Sequence, residues 1–343
     1  MKAVGFREHG GLDKLEILDM PKPEIGDDDV LVRVKACALN HLDLWVRDGL
    51  PGLKLALPHI LGSDVAGDVA AVGRNVTYPE PGVRVAVNPG LSCGECEWCV
   101  QGEDPLCVEF KILGEHVPGG YAEYVRVPAR NVVELPTDFD YVEAAAAPLV
   151  YQTAWRMLVT RAKIRPGEDV LVLGAGSGVS TAAIQIAKHA GCTVFVTSSS
   201  DEKLRRAKEI GADVLINHRA MEFDKAVWEL TGKRGVDVIV DHVGQATFGK
   251  SLRALARGGR LVFCGATSGP EATFDLRRSY YRGHTILGST MGSRREFEDV
   301  MKLVFRRKLT PVVDRTYPLE KARDAQERLE KGEQFGKIVL TVE

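Results

Sequence analysis

Four cysteines in the first third of the chain have the spacing of a metal site. Cys93, Cys96, Cys99 and Cys107 are separated by two, two and seven residues, and tight turns can fold such a segment into the thiolate tetrahedron that zinc prefers. Unpaired surface thiols are a poor alternative, because exposed reactive thiols are a liability. Since the protein would fill every position around the metal, none would remain for a substrate. The pattern predicts one structural Zn2+ per chain, held in the lobe 93–107.

A glycine-rich turn predicts dinucleotide binding. The segment 174–180 (GAGSGVS) follows an apolar strand at 169–173 and precedes the helical run 181–189. Small residues there let backbone amides approach a pyrophosphate at the start of the helix. Ser180 stands where the third glycine of the usual fingerprint would allow close packing, so a slightly wider gap is expected. The residues expected at the pyrophosphate are Gly176, Ser177, Gly178 and Val179.

The end of the next strand predicts which nicotinamide cofactor is preferred. An NAD-binding fold usually has an acidic residue there for the ribose hydroxyls, whereas this chain has Ser198, Ser199 and, one helical turn later, Lys203. These side chains can donate hydrogen bonds to a 2′-phosphate, which a carboxylate would repel. His218, after the third strand, would lie at the same adenine edge. NADP(H) is therefore expected over NAD(H), although Ser200 also fits as a simple cap of the following helix.

Two different sequence patterns, one in the first third of the chain and one after residue 169, indicate the fold class. The first third of the 343 residues has short alternating segments broken by Pro–Gly pairs, which is typical of a β-rich domain. From residue 169 onward, strands and helices alternate, which predicts an α/β doubly wound parallel sheet. In that series, a helix over 246–257 is expected to end at Gly258. The final fifty residues are assigned back to the first domain.

The composition argues against nucleic acid and membrane as partners. The 45 Lys and Arg residues against 47 Asp and Glu leave a net charge of -2, without the basic excess that a phosphate-backbone binder needs. No run of about 18 apolar residues appears. The start of the sequence reaches Arg7 and Glu8 before any apolar stretch of signal-peptide length. We expect a cytoplasmic protein with a small-molecule substrate.

Together these features resemble the medium-chain dehydrogenase/reductase superfamily, which includes the zinc alcohol dehydrogenases and the quinone oxidoreductases. Besides the cysteine lobe, the matching segments are 1–4 (MKAV), 57–67 (LPHILGSDVAG), 119–124 (GGYAEY) and 336–340 (GKIVL). The resemblance covers nearly the whole chain. It implies a GroES-like catalytic domain, a Rossmann domain, a substrate cleft between them, and a homodimer or homotetramer.

The domain boundaries expected from these features place residues 1–150 and 290–343 in the GroES-like domain and 151–289 in the Rossmann domain. The apolar strand 285–289 lies near the edge of the expected Rossmann sheet. A bare edge strand tends to pair with another. In this superfamily such pairing joins two Rossmann sheets, so we expect a dimer or a dimer of dimers.

Set against that resemblance, the ligands of a catalytic zinc are missing. The zinc alcohol dehydrogenases hold this ion with a Cys, a His and a third Cys or Asp, and those positions are Asn40, Ser63 and Leu149 here. Leu42 replaces the residue of the proton relay. The segment 40–49 instead resembles the zinc-free quinone reductases. We expect hydride transfer from NADPH to a carbonyl compound, a quinone or the β-carbon of an enone.

Without zinc, hydrogen-bond donors must stabilise the developing oxyanion. The Asn40 amide and the Trp45 indole are candidates, and Asp43 would orient them or bound water. Thr153 resembles the family threonine that packs near the nicotinamide, and Gly265 follows the strand on the other side. Asn40 fits equally well as a turn residue that caps the helix carrying Trp45.

Two other functions remain open at this point. One is a zinc-dependent alcohol dehydrogenase with substituted ligands, and the other is a non-catalytic cofactor sensor or structural protein. An unusual metal site would have to draw on residues whose spacing does not recommend them as ligands. These residues are Cys37, His41, Asp43, His59, Asp64, Glu115 and His116.

Overall fold

The computed structural model describes residues 1–343, and they form two compact units. The first unit comprises Met1–Gln152 and Gly292–Glu343, and the second comprises Thr153–Met291. No helix in the chain has both the length and the apolar character needed to cross a membrane.

The first unit is built mainly from strands. Up to residue 152 these are β1 (Lys2–Phe6), β2 (Glu16–Asp19), β3 (Asp29–Ala38), β4 (His59–Ile60), β5 (Asp64–Val72), β6 (Arg84–Val87), β7 (Gly90–Leu91), β8 (Lys111–Ile112), β9 (Tyr124–Pro128) and β10 (Val132–Glu134). The helices that begin in this part are α1 (His41–Asp48), α2 (Glu97–Val100), α3 (Tyr141–Ala145) and α4 (Pro148–Trp155).

The second unit alternates strands and helices after a π-helical turn at Arg156–Arg161. Its strands are β11 (Asp169–Val172), β12 (Thr193–Ser198), β13 (Val214–Asn217), β14 (Val236–Asp241), β15 (Leu255–Phe263) and β16 (Thr285–Gly288). Its helices are α5 (Gly178–His189), α6 (Asp201–Glu209), α7 (Phe223–Leu230), α8 (Phe248–Ala254) and α9 (Leu276–Arg282).

The six strands of the second unit form one parallel sheet in the order β13-β12-β11-β14-β15-β16. The order reverses between β11 and β14, as in a doubly wound dinucleotide-binding sheet. The carboxyl ends of β11 and β12 therefore lie beside the reversal point, where such sheets bind ligands. The predicted doubly wound α/β fold is confirmed.

One predicted helix of this sheet is too long. The helix expected over 246–257 ends at Ala254, and β15 begins directly afterwards. Leu255 and Ala256 are 0% and 3% exposed, because the extended backbone buries them in the sheet. Gly258 has a positive φ of 72°, so the turn signal marks an irregularity inside the strand rather than the end of a helix.

The chain returns to the first unit with α10 (Arg294–Phe305), β17 (Val313–Pro318), α11 (Ala322–Glu330) and β18 (Lys337–Thr341). The main sheet of this unit has the order β10-β6-β5-β3-β18-β17, with β9 also paired to β3. The first unit also contains a separate three-stranded sheet, β2-β1-β4, and a two-stranded sheet, β7-β8. Near the middle of β3, buried Val32 and Val34 flank exposed Arg33, in line with the alternating sequence pattern, whereas the last three residues of the strand are all buried.

The register of the central strand β3 determines which residues meet at its carboxyl end. Ala38 pairs with Asp64 of β5 on one side and with Val339 of β18 on the other. Continuing the antiparallel register by two residues brings Lys337 level with Asn40. The pairing of strands in the main sheet thus brings Asn40, Asp64 and Lys337 close together, although they are far apart in sequence.

Helix α1, which follows this point, is fixed by a buried arginine. Arg47 is 1% exposed, and its guanidinium donates to the Gly10 carbonyl at 3.0 Å and to the Gln326 amide oxygen at 2.6 Å. It also forms an ion pair with Glu330 of α11. A side chain with five donors needs several acceptors when it is buried, and these acceptors join α1 to the end of the chain.

Candidate functional site

A buried polar cluster, here called the Asn40 cluster, consists of Asn40, Asp64 and Lys337. The Asn40 amide nitrogen donates to Asp64 Oδ2 at 2.9 Å, and the Lys337 ammonium donates to the same oxygen at 2.9 Å. The ammonium also donates to the Asn40 amide oxygen at 2.5 Å. The three residues are 6%, 0% and 3% exposed. An ion pair so deeply buried requires further hydrogen bonds to offset its desolvation, and the Asn40 amide provides them.

The three positions at which zinc alcohol dehydrogenases place catalytic ligands surround Asp64. Besides Asn40, the backbone N–H of Leu149 donates to Asp64 Oδ1 at 2.7 Å. Ser63 is fully buried, and its hydroxyl has no hydrogen-bond partner. An amide, a hydroxyl and an alkyl side chain are a poor donor set for zinc, which takes thiolate, imidazole and carboxylate.

Asp43 serves chiefly to tie the start of α1 to its surroundings. Its carboxylate accepts hydrogen bonds from the backbone N–H of Asn40 at 2.8 Å, the Tyr121 hydroxyl at 2.9 Å and the Gly62 N–H at 3.2 Å. Burial raises the pKa of Asp43 to about 6, and the hydrogen bonds from Asn40 and Tyr121 oppose that rise. The carboxylate therefore orients the Asn40 backbone, while the Asn40 amide is oriented by other groups.

Trp45 and the capping alternative for Asn40 are both visible in α1. Asn40 is the N-cap of α1: its backbone N–H donates to the Asp43 carboxylate at 2.8 Å, and its backbone carbonyl accepts from the Asp43 N–H at 3.0 Å. Trp45 is half-buried, with its ring edge-on to His41 at a centroid distance of 4.9 Å. The capping role and the place in the Asn40 cluster use different parts of Asn40, so the two interpretations are compatible.

Lys337 is the residue of this cluster that the sequence reasoning missed. It was noticed only as the second residue of the chain-end motif GKIVL. A lysine at the start of an otherwise apolar strand is a weak signal, because most lysines at strand ends are solvated. Only the pairing of β18 with β3 shows that it is buried beside Asn40.

The residues considered for an unusual metal site do not bring three or more ligand atoms together in this structure. In the whole chain, the only group of three or more His, Cys, Asp or Glu residues whose ligand atoms converge is the cysteine lobe. His59, for example, is buried with its Nε2 at 3.1 Å from the Gly114 carbonyl oxygen, and burial lowers its pKa. Burial also disfavours the charged form of the Cys37 thiol and raises its pKa well above its usual range.

The four thiols of the lobe lie at distances that suit a tetrahedral ion. The Sγ–Sγ distances are 3.5 Å for Cys93–Cys107, 3.6 Å for Cys96–Cys99 and 3.9 Å for Cys93–Cys99. All four sulfur atoms lie within 4.8 Å of one another. A zinc–sulfur bond of about 2.3 Å implies a tetrahedron edge of about 3.8 Å, which the three shortest sulfur–sulfur distances match to within a few tenths of an ångström.

In the second unit, the glycine-rich turn is held by hydroxyl groups. Ser177 caps α5 by accepting from the Ser180 N–H at 3.0 Å. The Ser180 hydroxyl is buried and donates to the Leu173 carbonyl at 2.7 Å. His242, which the sequence reasoning also missed, places its Nε2 at 2.9 Å from the Ser180 hydroxyl and 3.1 Å from that of Ser177. Serine at the third glycine position is thus a hydrogen-bonding member of the turn and joins it to the end of β14.

The residues expected at the adenosine ribose meet at the ends of β12 and β13. The His218 N–H donates to the Ser198 carbonyl at 3.0 Å, and Ser198 itself is 5% exposed. The Ser200 hydroxyl accepts from the Lys203 N–H at 3.3 Å, which is the expected helix cap. Ser199 lies between these two serines and is half-buried.

The two residues expected near the nicotinamide also belong to the second unit. Thr153 is 5% exposed, and its hydroxyl has no hydrogen-bond partner. Gly265 lies just after β15, where an added Cβ would be 3.1 Å from the His242 carbonyl oxygen. An unpartnered buried hydroxyl carries a cost, which a bound cofactor would relieve.

Comparisons with known proteins agree with this architecture. Residues 26–137 match the alcohol dehydrogenase GroES-like domain, and residues 178–306 match the zinc-binding dehydrogenase domain. A crystal structure of an NAD-dependent alcohol dehydrogenase superposes with a TM-score of 0.97 at 49% identity, covering 100% of both chains.

Two curated relatives extend the comparison to other reactions. An acryloyl-coenzyme A reductase of Metallosphaera sedula is 34% identical, over 99% of this chain and 100% of its own length. The human quinone oxidoreductase is 31% identical, over 99% of this chain and 97% of its own length. The chain therefore belongs to the medium-chain dehydrogenase/reductase superfamily, and it is an NAD(P)-dependent oxidoreductase of the alcohol dehydrogenase type.

Proposed function

We propose that the chain transfers hydride from NADPH to a carbonyl compound, a quinone or the β-carbon of an enone, without a catalytic zinc. The observation that carries this proposal is the Asn40 cluster: the Asn40 amide, at one of the ligand positions of the zinc relatives, is bound by the Lys337 ammonium and by Asp64. When bound, the reduced nicotinamide supplies the hydride. The chain must then stabilise the negative charge that develops on the acceptor oxygen.

The chain's own donors perform that stabilisation. The Asn40 amide has two N–H groups, and Asp64 accepts from only one of them, which leaves the other for the acceptor oxygen. The Trp45 indole N–H is the second candidate. Fixed donors in a water-poor site stabilise an oxyanion more than water does, because they need no reorganisation. A proton then completes the alcohol, hydroquinone or saturated product.

The zinc-dependent alternative is less favourable on electrostatic grounds. An ammonium at Lys337, within 2.9 Å of Asp64, already neutralises the carboxylate that would attract a metal ion. Asn40 and Ser63 are weak neutral ligands, and Leu149 cannot coordinate at all. The non-catalytic sensor is disfavoured because a pure sensor has no need for a buried ion pair beside unpartnered donors.

Assays with an acceptor panel test the proposed reaction. The purified chain is expected to oxidise NADPH steadily with at least one quinone, enone, aldehyde or ketone, at a rate proportional to enzyme concentration. Oxidation that requires added zinc would support the alcohol dehydrogenase alternative. Cofactor binding with no turnover of any acceptor would support the sensor.

We further propose that NADPH is preferred over NADH, although one similar structure is of an NAD-dependent enzyme. The supporting feature is the hydroxyl-rich end of β12, with Ser198 and Ser199 at the place of the usual acidic residue. A hydrogen bond to a charged phosphate contributes about 1–3 kcal/mol. Dissociation constants are therefore expected to favour NADPH by about 5-fold to 150-fold.

The variant Ser198→Asp tests this preference, because its carboxylate would repel the 2′-phosphate and accept from the ribose hydroxyls. Titration of both cofactors is expected to show the preference reversed. The matched variant Ser198→Ala, which removes the hydroxyl without adding charge, should weaken the preference without reversing it. Equal or tighter NADH binding by the unmodified chain would contradict the proposal.

The cysteine lobe is proposed to hold one structural zinc, on the basis of its sulfur distances. Metal binding to such a loop is coupled to its folding. Cys96→Ser is expected to lower the bound zinc and the melting temperature together while the folded fraction retains hydride transfer. Cys192→Ser is the control, since Cys192 lies outside the lobe. Normal zinc content in Cys96→Ser would refute the assignment.

The bare edge of the second unit's sheet is proposed to pair with a second copy. Strand β16 has one partner, β15, and three of its four residues are exposed. Exposed apolar side chains on the preceding helix α9 include Leu276 at 70% and Tyr280 at 74%. Sedimentation at micromolar concentration is expected to show a dimer or a tetramer of the 37.5 kDa chain. A stable monomer would exclude this assembly.

The cytoplasmic location expected from the sequence stays a prediction.

A further inference from the structure

Lys337 has no role in the hydride-transfer chemistry described so far, yet its burial demands an explanation. Lysine is almost never fully buried unless its ammonium is paired, and removing such a charge from water is costly. Here the ammonium is 3% exposed and meets one carboxylate, Asp64, and one neutral oxygen, that of Asn40. An ammonium has three donors, so a buried one needs acceptors besides its carboxylate partner, and the acceptor present here is the side chain of a candidate catalytic residue.

The chemistry of these contacts fixes the orientation of the Asn40 carboxamide. An ammonium can only donate, so it must face the amide oxygen; a carboxylate can only accept, so it must face the amide nitrogen. Reversing the amide would place two donors, Nζ and Nδ2, against each other and the Asn40 oxygen against Asp64. The ambiguity between oxygen and nitrogen that affects most asparagine side chains is thereby removed.

The orientation leaves one polar group of Asn40 unused. The amide oxygen is bound by Lys337, one N–H is bound by Asp64, and the second N–H has no protein partner. A hydrogen bond accepted by the carbonyl of an amide polarises it and strengthens its N–H as a donor. The ammonium thus both fixes and strengthens the remaining donor.

We infer that Lys337 is a positioning residue for the proposed reduction: its ammonium orients and polarises the Asn40 carboxamide, so that the free N–H is presented to the acceptor oxygen. This inference rests on the proposed function. The three strands that bring the residues together are paired in one sheet, so the arrangement exists before any substrate binds.

The kinetic test replaces the ammonium by a neutral chain of similar length. With saturating NADPH and an acceptor that the unmodified chain reduces, Lys337→Met is expected to lose at least about tenfold in kcat, because the oxyanion donor is no longer fixed. The dissociation constant for NADPH should be unchanged. Lys337→Arg, which keeps the charge, should recover part of the loss. Lys331→Met, which removes an exposed lysine paired with Glu327, is the control and should behave as the unmodified chain.

A second variant guards against loss of folding. Lys337→Met leaves Asp64 buried without its cation, which is strongly destabilising. The double variant Lys337→Met/Asp64→Asn removes that orphaned charge and should fold, with the same loss of kcat. Unchanged kcat in either folded variant would overturn the inference.

An NMR measurement separates this inference from the proposed function. The Asn40 side-chain amide protons are identified as the pair of signals missing from Asn40→Asp. In the unmodified chain and in Lys331→Met they should be two separate, slowly exchanging resonances; in the double variant they should shift and exchange faster with solvent. Unaltered Asn40 signals in that variant would refute the Lys337–Asn40 contact. If no acceptor is reduced by the unmodified chain, the proposed function fails, while the amide signals still decide whether Lys337 orients Asn40.

Discussion

The ion pair between Lys337 and Asp64 is the interaction on which the rest of the first unit's site depends. It joins β18 to β5 across the end of β3, and it takes up the carboxylate that would otherwise attract a metal ion. Asn40 completes the pair and receives its orientation in return. Arg47 and Asp43 then hold the following helix, so that the position of Trp45 is also set. The proposed reduction uses fixed donors and one resident cation at this site.

In the second unit, hydroxyl groups hold the backbone of the glycine-rich turn in place. A glycine-rich turn must leave its amides free for a pyrophosphate, and so its own geometry has to be held by other atoms. Ser177, Ser180 and His242 supply those atoms in this chain. The same preference for small hydroxyl side chains continues at Ser198, where it removes the negative charge that would disfavour a 2′-phosphate. The proposed preference for NADPH would connect serine at these places with both cofactor binding and cofactor choice.

Much of this arrangement could be predicted from sequence because its signals are local. The cysteine lobe lies within fifteen residues, and the glycine-rich turn has a strand before it and a helix after it. The parallel sheet followed from the alternation of such units. Lys337 could not be predicted in the same way, because it lies 297 residues from Asn40 in sequence and meets it only through strand pairing. His242 joins the turn from a shorter distance in sequence, 62 residues from Ser180 and 65 from Ser177, but likewise only through the fold. The helix expected over 246–257 failed because burial in the sheet outweighed the local helical pattern at Leu255 and Ala256.

We propose that this site works with an ammonium and an amide where the zinc relatives of this chain use a metal ion. Zinc content and NADPH-dependent reduction measured on the same samples, before and after brief treatment with a chelator, test it most directly. We expect about one zinc per chain, held by the cysteine lobe, and a reduction rate that does not depend on any further metal. A second tightly bound zinc, lost together with activity on chelation, would contradict it.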